Sequence, residues 1–394
     1  MSDREFEIVI YGATGFTGRL VAEYLDSEYG SEYGSDLKWA MAGRSQDKLE
    51  AVRDEMGISE DVALIVADSD KPETLSDMAK RTKAVITTVG PYQLYGEPLV
   101  KACVEAGTDY VDLCGEPAWM HDIIEKYNAP AKESGSRVVL SCGFDSIPFD
   151  MGVYFLQRHA NEALGKPLPK IRGRVRKMKG TFSGGTAASF AETMKRAKKQ
   201  PEILDWLKDP FSLVPNFTGP AQPTGHKPIH EKDIDSWSAP FVMASINTKN
   251  VHRSNALMGH AYGENFTYDE MILTGPGEKG EAAAKHVAAT DTFGKNPPKP
   301  GEGPSKEERE SGLYDLLFIG NDEDGTQMMA SVKGDKDPGY GSTCKMISES
   351  AMTLVKDVDR GQTGGGVYTT APALGVALID RLQEHAGLTF KMES

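Results

Sequence analysis

Three glycines spaced three apart, Gly12, Gly15 and Gly18, follow the apolar run Ile8, Val9 and Ile10 and lead into Arg19 and Leu20. That spacing suits a buried strand that turns sharply into a helix whose free N–H groups face a phosphate. Gly12 permits the tight turn, Gly15 lets the backbone approach a pyrophosphate, and Gly18 lets the helix lie against the strand. Ala13, Thr14, Phe16 and Thr17 complete the turn and are counted with the glycines as dinucleotide contacts. At the end of the second strand an unmodified ribose calls for an Asp or Glu, but the chain has Arg44 and Ser45. A guanidinium pairs with a 2′-phosphate and stacks on adenine, and a hydroxyl adds a hydrogen bond, so the pattern selects NADP(H). Asp68 is placed either to accept from the adenine amino group or to cap a helix, and Gly90 and Pro91 are expected beside the nicotinamide ribose.

A hydride acceptor also needs a proton and a stabilised oxyanion. In a doubly wound sheet those groups come from the loops after the strands, which here hold Tyr92, Cys114, Glu116, Cys142, Asp145 and Ser146. Tyr92 is either a proton donor or a packing aromatic; Glu116 either a buried acid or a helix-start carboxylate; Asp145 and Ser146 either substrate-orienting groups or a turn. Cys114 and Cys142 lack a basic activator in sequence and read as small packing residues. None of the 14 tyrosines has a lysine four residues on, so the Tyr-x-x-x-Lys dyad is missing. His226 and His230 are separated by Pro228, which breaks a helical metal face, and no metal is expected.

Positioning these residues takes an α/β fold: a Rossmann-type doubly wound parallel sheet with a second α+β domain. Strands are expected over 7–11, 37–42, 62–66, 84–89, 110–112 and 137–140, and helices over 17–27, 46–55, 73–80, 98–106 and 118–133. The dinucleotide-binding domain spans 1–150. A substrate or oligomerisation domain spans 151–339, with few helices and a hairpin around residues 321–325. Residues 340–394 turn helical again and are expected to return to the first domain. Half of the 22 prolines fall in 201–240 and 295–304, which read as surface loops or lids. The aromatic content of 201–240 suits a lid over an acyl chain, a peripheral membrane contact, or packing against the second domain.

Four cysteines without a CxxC pair suggest free thiols, and no export signal or 18-residue apolar run is present, so a cytoplasmic protein is expected. The net charge of −14 excludes nucleic acid as a partner. Against that field, residues 170–199 hold ten Lys or Arg and one acid. If 171–178 is extended, Arg172, Arg174 and Arg176 share a face that either receives coenzyme A phosphates or an acyl carrier protein, or pairs with acids of this chain. The segment Ser183, Gly184, Gly185, Thr186 has the form of a tight loop able to grip an anion.

The glycine turn and the 42–45 string join Gly90-Pro-Tyr92, Gly107-Thr-Asp-Tyr-Val-Asp-Leu113, Gly115-Glu116 and Cys142-Gly-Phe-Asp-Ser-Ile-Pro148. Together they resemble the saccharopine dehydrogenase-like oxidoreductases. Asp337-Pro-Gly-Tyr-Gly341 and Gly364-Gly-Gly-Val367 resemble the branch of trans-acting enoyl reductases. The resemblance implies NADP(H), a Rossmann domain with an α+β partner, reduction of a carbon–carbon double bond in a carrier-bound polyketide or lipid intermediate, and a homodimer. Two other readings stand beside it: a saccharopine-type amino-acid oxidoreductase acting on a C–N bond, and a non-catalytic lipid-surface scaffold. A long apolar tunnel favours the first, a small arginine-lined pocket the second, and an occluded nicotinamide mouth the third.

Overall fold

The computed structural model describes residues 4–30, 37–180, 184–290 and 302–393. Its first part alternates β1 (Phe6–Tyr11), α1 (Phe16–Tyr29), β2 (Trp39–Gly43), α2 (Gln46–Glu55), β3 (Ala63–Val66), α3 (Pro72–Arg81), β4 (Thr82–Thr87), α4 (Tyr92–Ala106), β5 (Asp109–Val111), α5 (Pro117–Ser134) and β6 (Arg137–Val139). Every pairing among these strands is parallel. Val9, Ile10, Met41, Val85 and Ile86 are fully buried, as a sheet covered on both faces requires.

All six expected strands form, with ends shifted by a residue or two. One helix differs more: α4 begins at Tyr92 rather than at 98, and Pro98 lies inside it. The added turn owes its start to a distant residue, Glu116, whose carboxylate accepts from the N–H groups of Tyr92 and Gln93.

The second part runs α6 (Ile147–Leu164), β7 (Lys170–Lys179), α7 (Gly184–Ala197), α8 (Glu202–Lys208), β8 (Ile229–Glu231), β9 (Ser236–Pro240), α9 (Ala244–Leu257), β10 (Thr267–Gly275), α10 (Gly277–Ala289), α11 (Lys306–Glu310), β11 (Leu313–Asn321) and β12 (Gln327–Gly334). It is mixed α+β, but among the described residues five helices lie between β7 and β11 where few were expected. At its centre β7 pairs parallel with β10 and antiparallel with β11. The hairpin forms as the polar turn predicts, with Leu317 opposite Ser331 and Asn321 opposite Gln327.

A wide turn, Pro338–Ser342, then leads to α12 (Thr343–Lys356), β13 (Gly366–Tyr368), α13 (Thr370–Glu384) and β14 (Leu388–Glu393). The expectation that 340–394 returns to the first domain needs correction. Helix α12 packs on α1 and β4, and β13 adds a seventh strand to the first sheet, in the order β13-β6-β5-β4-β1-β2-β3. The last strand instead closes the second sheet, in the order β14-β12-β11-β7-β10-β9-β8. Leu388 and Phe390 are buried there, and that burial draws the tail across.

Residues 201–240 are not simply a surface loop. Phe211, Leu213 and Val214 are buried, and Phe211 packs on His252 and Phe217. Two buried cations of α9 hold this segment by its carbonyls: Lys249 donates to Asp209 O at 2.5 Å and Arg253 to Leu213 O at 2.6 Å. Residues 209–214 therefore pack against the second domain, while in α8 of the same stretch Trp206 stacks on His121 of α5 and Leu207 lines the cavity described below. Most of 295–304 and Ser183 lie outside the described residues, while Gly184 and Gly185 open α7.

Candidate active site

The order of the first sheet reverses between β1 and β4, and the crevice at their carboxyl ends is where a doubly wound sheet binds its ligand. A cavity of about 730 Å³ opens there, lined by Gly12 and Gly15 after β1 and by Thr88, Val89 and Gly90 after β4. Gly12 has φ +92°, and a Cβ on it would lie 2.6 Å from Val89 Cγ2. A Cβ on Gly18 would run into the backbone of Gly12 and Ala13. The turn closes with Gly15 N–H donating to Gly12 O at 2.9 Å. Helix α1 then starts with no side-chain cap and no acid in its first turn, so its N–H groups and positive dipole end are left for an anion. Thr14, Phe16 and Thr17 line the same cavity.

Arg44 is exposed at the adenosine end and makes no hydrogen bond or ion pair among the described residues. Ser45 caps α2 by accepting from Lys48 N–H, which leaves its own O–H free to donate. These features fit a dinucleotide carrying a 2′-phosphate. Asp68 is used locally, its Oδ1 accepting from Asp70 N–H at 3.1 Å. Its neighbour Ser69 lines the cavity, beside Tyr11, whose hydroxyl Ser69 engages. Sequence reasoning passed over Tyr11, which ends β1, Thr88, which directly follows β4, and Ser69, three residues past β3. Pro91 caps α4 just behind Gly90.

The four candidates for chemistry fare differently. Tyr92 is 5% exposed, and its hydroxyl donates to Thr87 O at 3.1 Å and accepts from Leu113 N–H at 3.0 Å. Burial raises that phenol well above its ordinary range. Glu116 is equally committed, accepting from Tyr92 N–H, Gln93 N–H and, at 2.7 Å, Ser189 Oγ on α7. Ser146 opens α6 and its Oγ accepts from Asn250 of α9. Both Glu116 and Ser146 are buried outside the cavity lining.

Asp145 is the exception. It lies on the cavity wall between β6 and α6, open to the cavity but shielded from bulk water, and has no hydrogen-bond partner among the described residues. Burial alone pushes its carboxyl up to about 6. Nearby Asp112, not anticipated, ties the ends of β5 and β6 by accepting from Cys114 N–H, Ser141 N–H and Tyr110 O–H. Cys114 and Cys142 are fully buried with thiols pushed well up, so they are packing residues rather than nucleophiles.

The three arginines of β7 are spent on acids of this chain. Arg172 pairs with Glu231 and Asp233, the 1%-exposed Arg174 with Glu231 and Asp269, and Arg176 with Asp315 and Glu393. Strand β7 therefore offers no unpaired arginine face to a phosphate or carrier. Beyond the nicotinamide end, the cavity continues between the domains past Met178, Phe190, Leu207, Phe241, Met243 and Ile246. Among its described lining residues Arg44 is the only Lys or Arg. Among the described residues, no cluster of three His, Cys, Asp or Glu could hold a metal ion, and no helix is long and apolar enough to cross a membrane.

A parallel sheet of this order, a glycine turn ahead of a bare helix start and a guanidinium in the ribose corner define an NADP-dependent oxidoreductase. The saccharopine dehydrogenase NADP binding domain family matches residues 8–139. A saccharopine dehydrogenase (L-Glu forming) from Saccharomyces cerevisiae shares the fold with a TM-score of 0.56, covering 99% of this chain and 100% of its own at 13% identity. The trans-acting enoyl reductase of Mycobacterium ulcerans (strain Agy99) is 37% identical over 97% of each chain. That of Mycobacterium tuberculosis (strain ATCC 25618 / H37Rv) is 37% identical, covering 97% of this chain and 96% of its own. A second protein of that strain, given the same name provisionally, is 40% identical over 96% of each. The chain belongs to the trans-acting enoyl reductase family.

Proposed function

We propose that this chain reduces the carbon–carbon double bond of an α,β-unsaturated acyl thioester of the polyketide or lipid kind, with NADPH supplying the hydride when bound. The observation that carries this reading is the lining of the cavity beyond the dinucleotide turn, which is mostly apolar and, among the described residues, holds no lysine or arginine on the substrate side. A substrate with two or more carboxylates, as in saccharopine-type chemistry, needs paired cations there, because a buried unpaired carboxylate is costly. An acyl chain needs only apolar walls. The open mouth and the unshielded start of α1 speak against a scaffold that merely retains the fold.

Reduction adds hydride at the β-carbon and leaves an enolate that takes a proton at the α-carbon. Tyr92, Glu116 and Ser146 have their polar atoms engaged with the protein itself. Ser141 donates to Cys114 O and Thr343 to Pro338 O, so these wall hydroxyls are engaged as well. Asp145 faces the cavity without a hydrogen-bond partner among the described residues and holds its proton to higher pH than an ordinary carboxyl, which suits a general acid. The four cysteines are free and buried, which supports placing the reaction in the reducing cytoplasm.

The test is NADPH oxidation by the purified protein against a panel of enoyl thioesters and a panel of 2-oxo acids with amines. Thioesters alone should be turned over. Turnover confined to the second panel would replace this reading with C–N chemistry.

A further inference from the structure

Helix α7 has one edge on the cavity and another on solvent. Ser189, Phe190 and Thr193 line the cavity, and Gln93 Nε2 at the start of α4 donates to Ser189 O and to Thr193 Oγ1, fastening the two helices together. On the outer edge Phe190 and Met194 lie four apart with Ala191 and Lys195 beside them, and Lys198 and Lys199 follow in the turn that ends the helix; all six are exposed. Across the seam Leu94 and Tyr95 are 50% and 42% exposed, beside Phe190 at 52%. A shallow groove of about 160 Å³ joins Leu94 to Lys195, Arg196 and Lys199.

This apolar strip is bordered by four cations in a protein whose net charge is −14. Lys195 pairs with Glu192, and Arg196 with Asp122 of α5. The side chains of Lys198 and Lys199 make no hydrogen bond or ion pair among the described residues. An acidic partner is repelled by most of the surface and admitted here. Lys195 stands only about 7.5 Å along the helix axis from Phe190, at a rise of about 1.5 Å per residue.

We propose that the outer edge of α7, with the start of α4, is the docking surface for an acidic acyl carrier protein, whose thioester-bearing arm enters the cavity between Tyr95 and Phe190. The proposal rests on the enoyl thioester reading above. The basic anchor is the 195–199 cluster and not the arginines of β7, which this chain neutralises itself. Apolar contact at Leu94, Phe190 and Met194 supplies the desolvated centre of the interface and the lysines its charged rim.

The experiment uses the full chain with each of Lys195, Lys198 and Lys199 changed to Glu. Three probes carry the same enoyl group: a loaded acyl carrier protein, the coenzyme A thioester and the N-acetylcysteamine thioester. The triple variant should lose on the order of tenfold in kcat/KM for the carrier substrate, with a flattened salt dependence, and keep its rate on the N-acetylcysteamine thioester. Equal losses on coenzyme A and carrier would overturn the proposal in favour of a phosphate site. A change in the native mass of the variant would overturn it in favour of a self-association surface. Anisotropy of a labelled, unacylated carrier protein gives a readout independent of turnover. If no thioester is reduced, the enoyl reading falls, and weakened carrier binding by the variant still decides the docking surface. Unchanged binding sinks it.

Discussion

Arg44 and Asp145 are the two residues on which cofactor choice and proton supply turn. Arg44 stands exposed at the adenosine end without an ion pair among the described residues, so replacing it changes what it meets in the ligand rather than the fold. Arg44→Asp should raise the NADPH KM more than about tenfold, the value of one lost charge-assisted contact, and leave the melting temperature unchanged. Asp145→Asn should lower kcat by about a hundredfold, the usual scale of a lost general acid. Wild-type kcat/KM should fall as pH rises through about 6, where this carboxyl loses its proton, and the variant should lack that limb. The same shift has a stability sign. Folding raises the group from an ordinary 3.8 to about 6, so stability is fullest below the unfolded value and declines as pH rises through the folded one. Asp145→Asn removes that loss, about 3 kcal/mol for two units, and denaturant melts at pH 8 should show the variant no weaker than the wild type. The sequence put Glu116 and Asp145 on equal terms as carboxylates after strands. What separates them is partners 23 to 73 residues away, which no local pattern reveals.

Glu116 shows how one side chain organises elements. Its carboxylate starts α4, sits at the start of α5 and latches α7 through Ser189, so a buried charge is satisfied three times over. Glu116→Ala leaves two buried or half-buried N–H groups without acceptors and should cost about 3 kcal/mol in urea unfolding. Freed from this latch, α7 should also hold the substrate side less well, raising the thioester KM while the NADPH KM stays fixed. The elements of the first sheet were legible because each carries its own signal: a continuous apolar run, then a cap or glycine, then a helical stripe. Strands β13 and β14 were not, because their places are specified by the distant partner strands β6 and β12. Buried polar contacts hid the rest, as with the carbonyls of Asp209 and Leu213 that draw a proline-rich stretch onto α9.

At the scale of the whole molecule, the tail is a structural member. Strand β14 pairs with β12 over Met329 to Gly334, and Glu393 meets Arg176 of β7. Truncation after Ala386 exposes the β12 edge and removes the buried Leu388 and Phe390, so it should lower stability by about 3–6 kcal/mol, readable as a fall in Tm. It should also promote aggregation through the open edge. The doubly wound half, its cofactor turn and its ribose corner follow from local sequence. The cavity follows from the assembly of both halves, because its walls come from residues as far apart as Gly12, Phe241 and Thr343.

The threading of the chain has one more consequence. With β13 in one sheet, β14 in the other and α13 strung between them, the halves are stitched together behind the cleft. Any swing of one half against the other is taken up in part within α13, where Gly375 at φ +54° and ψ −141° already breaks the helix.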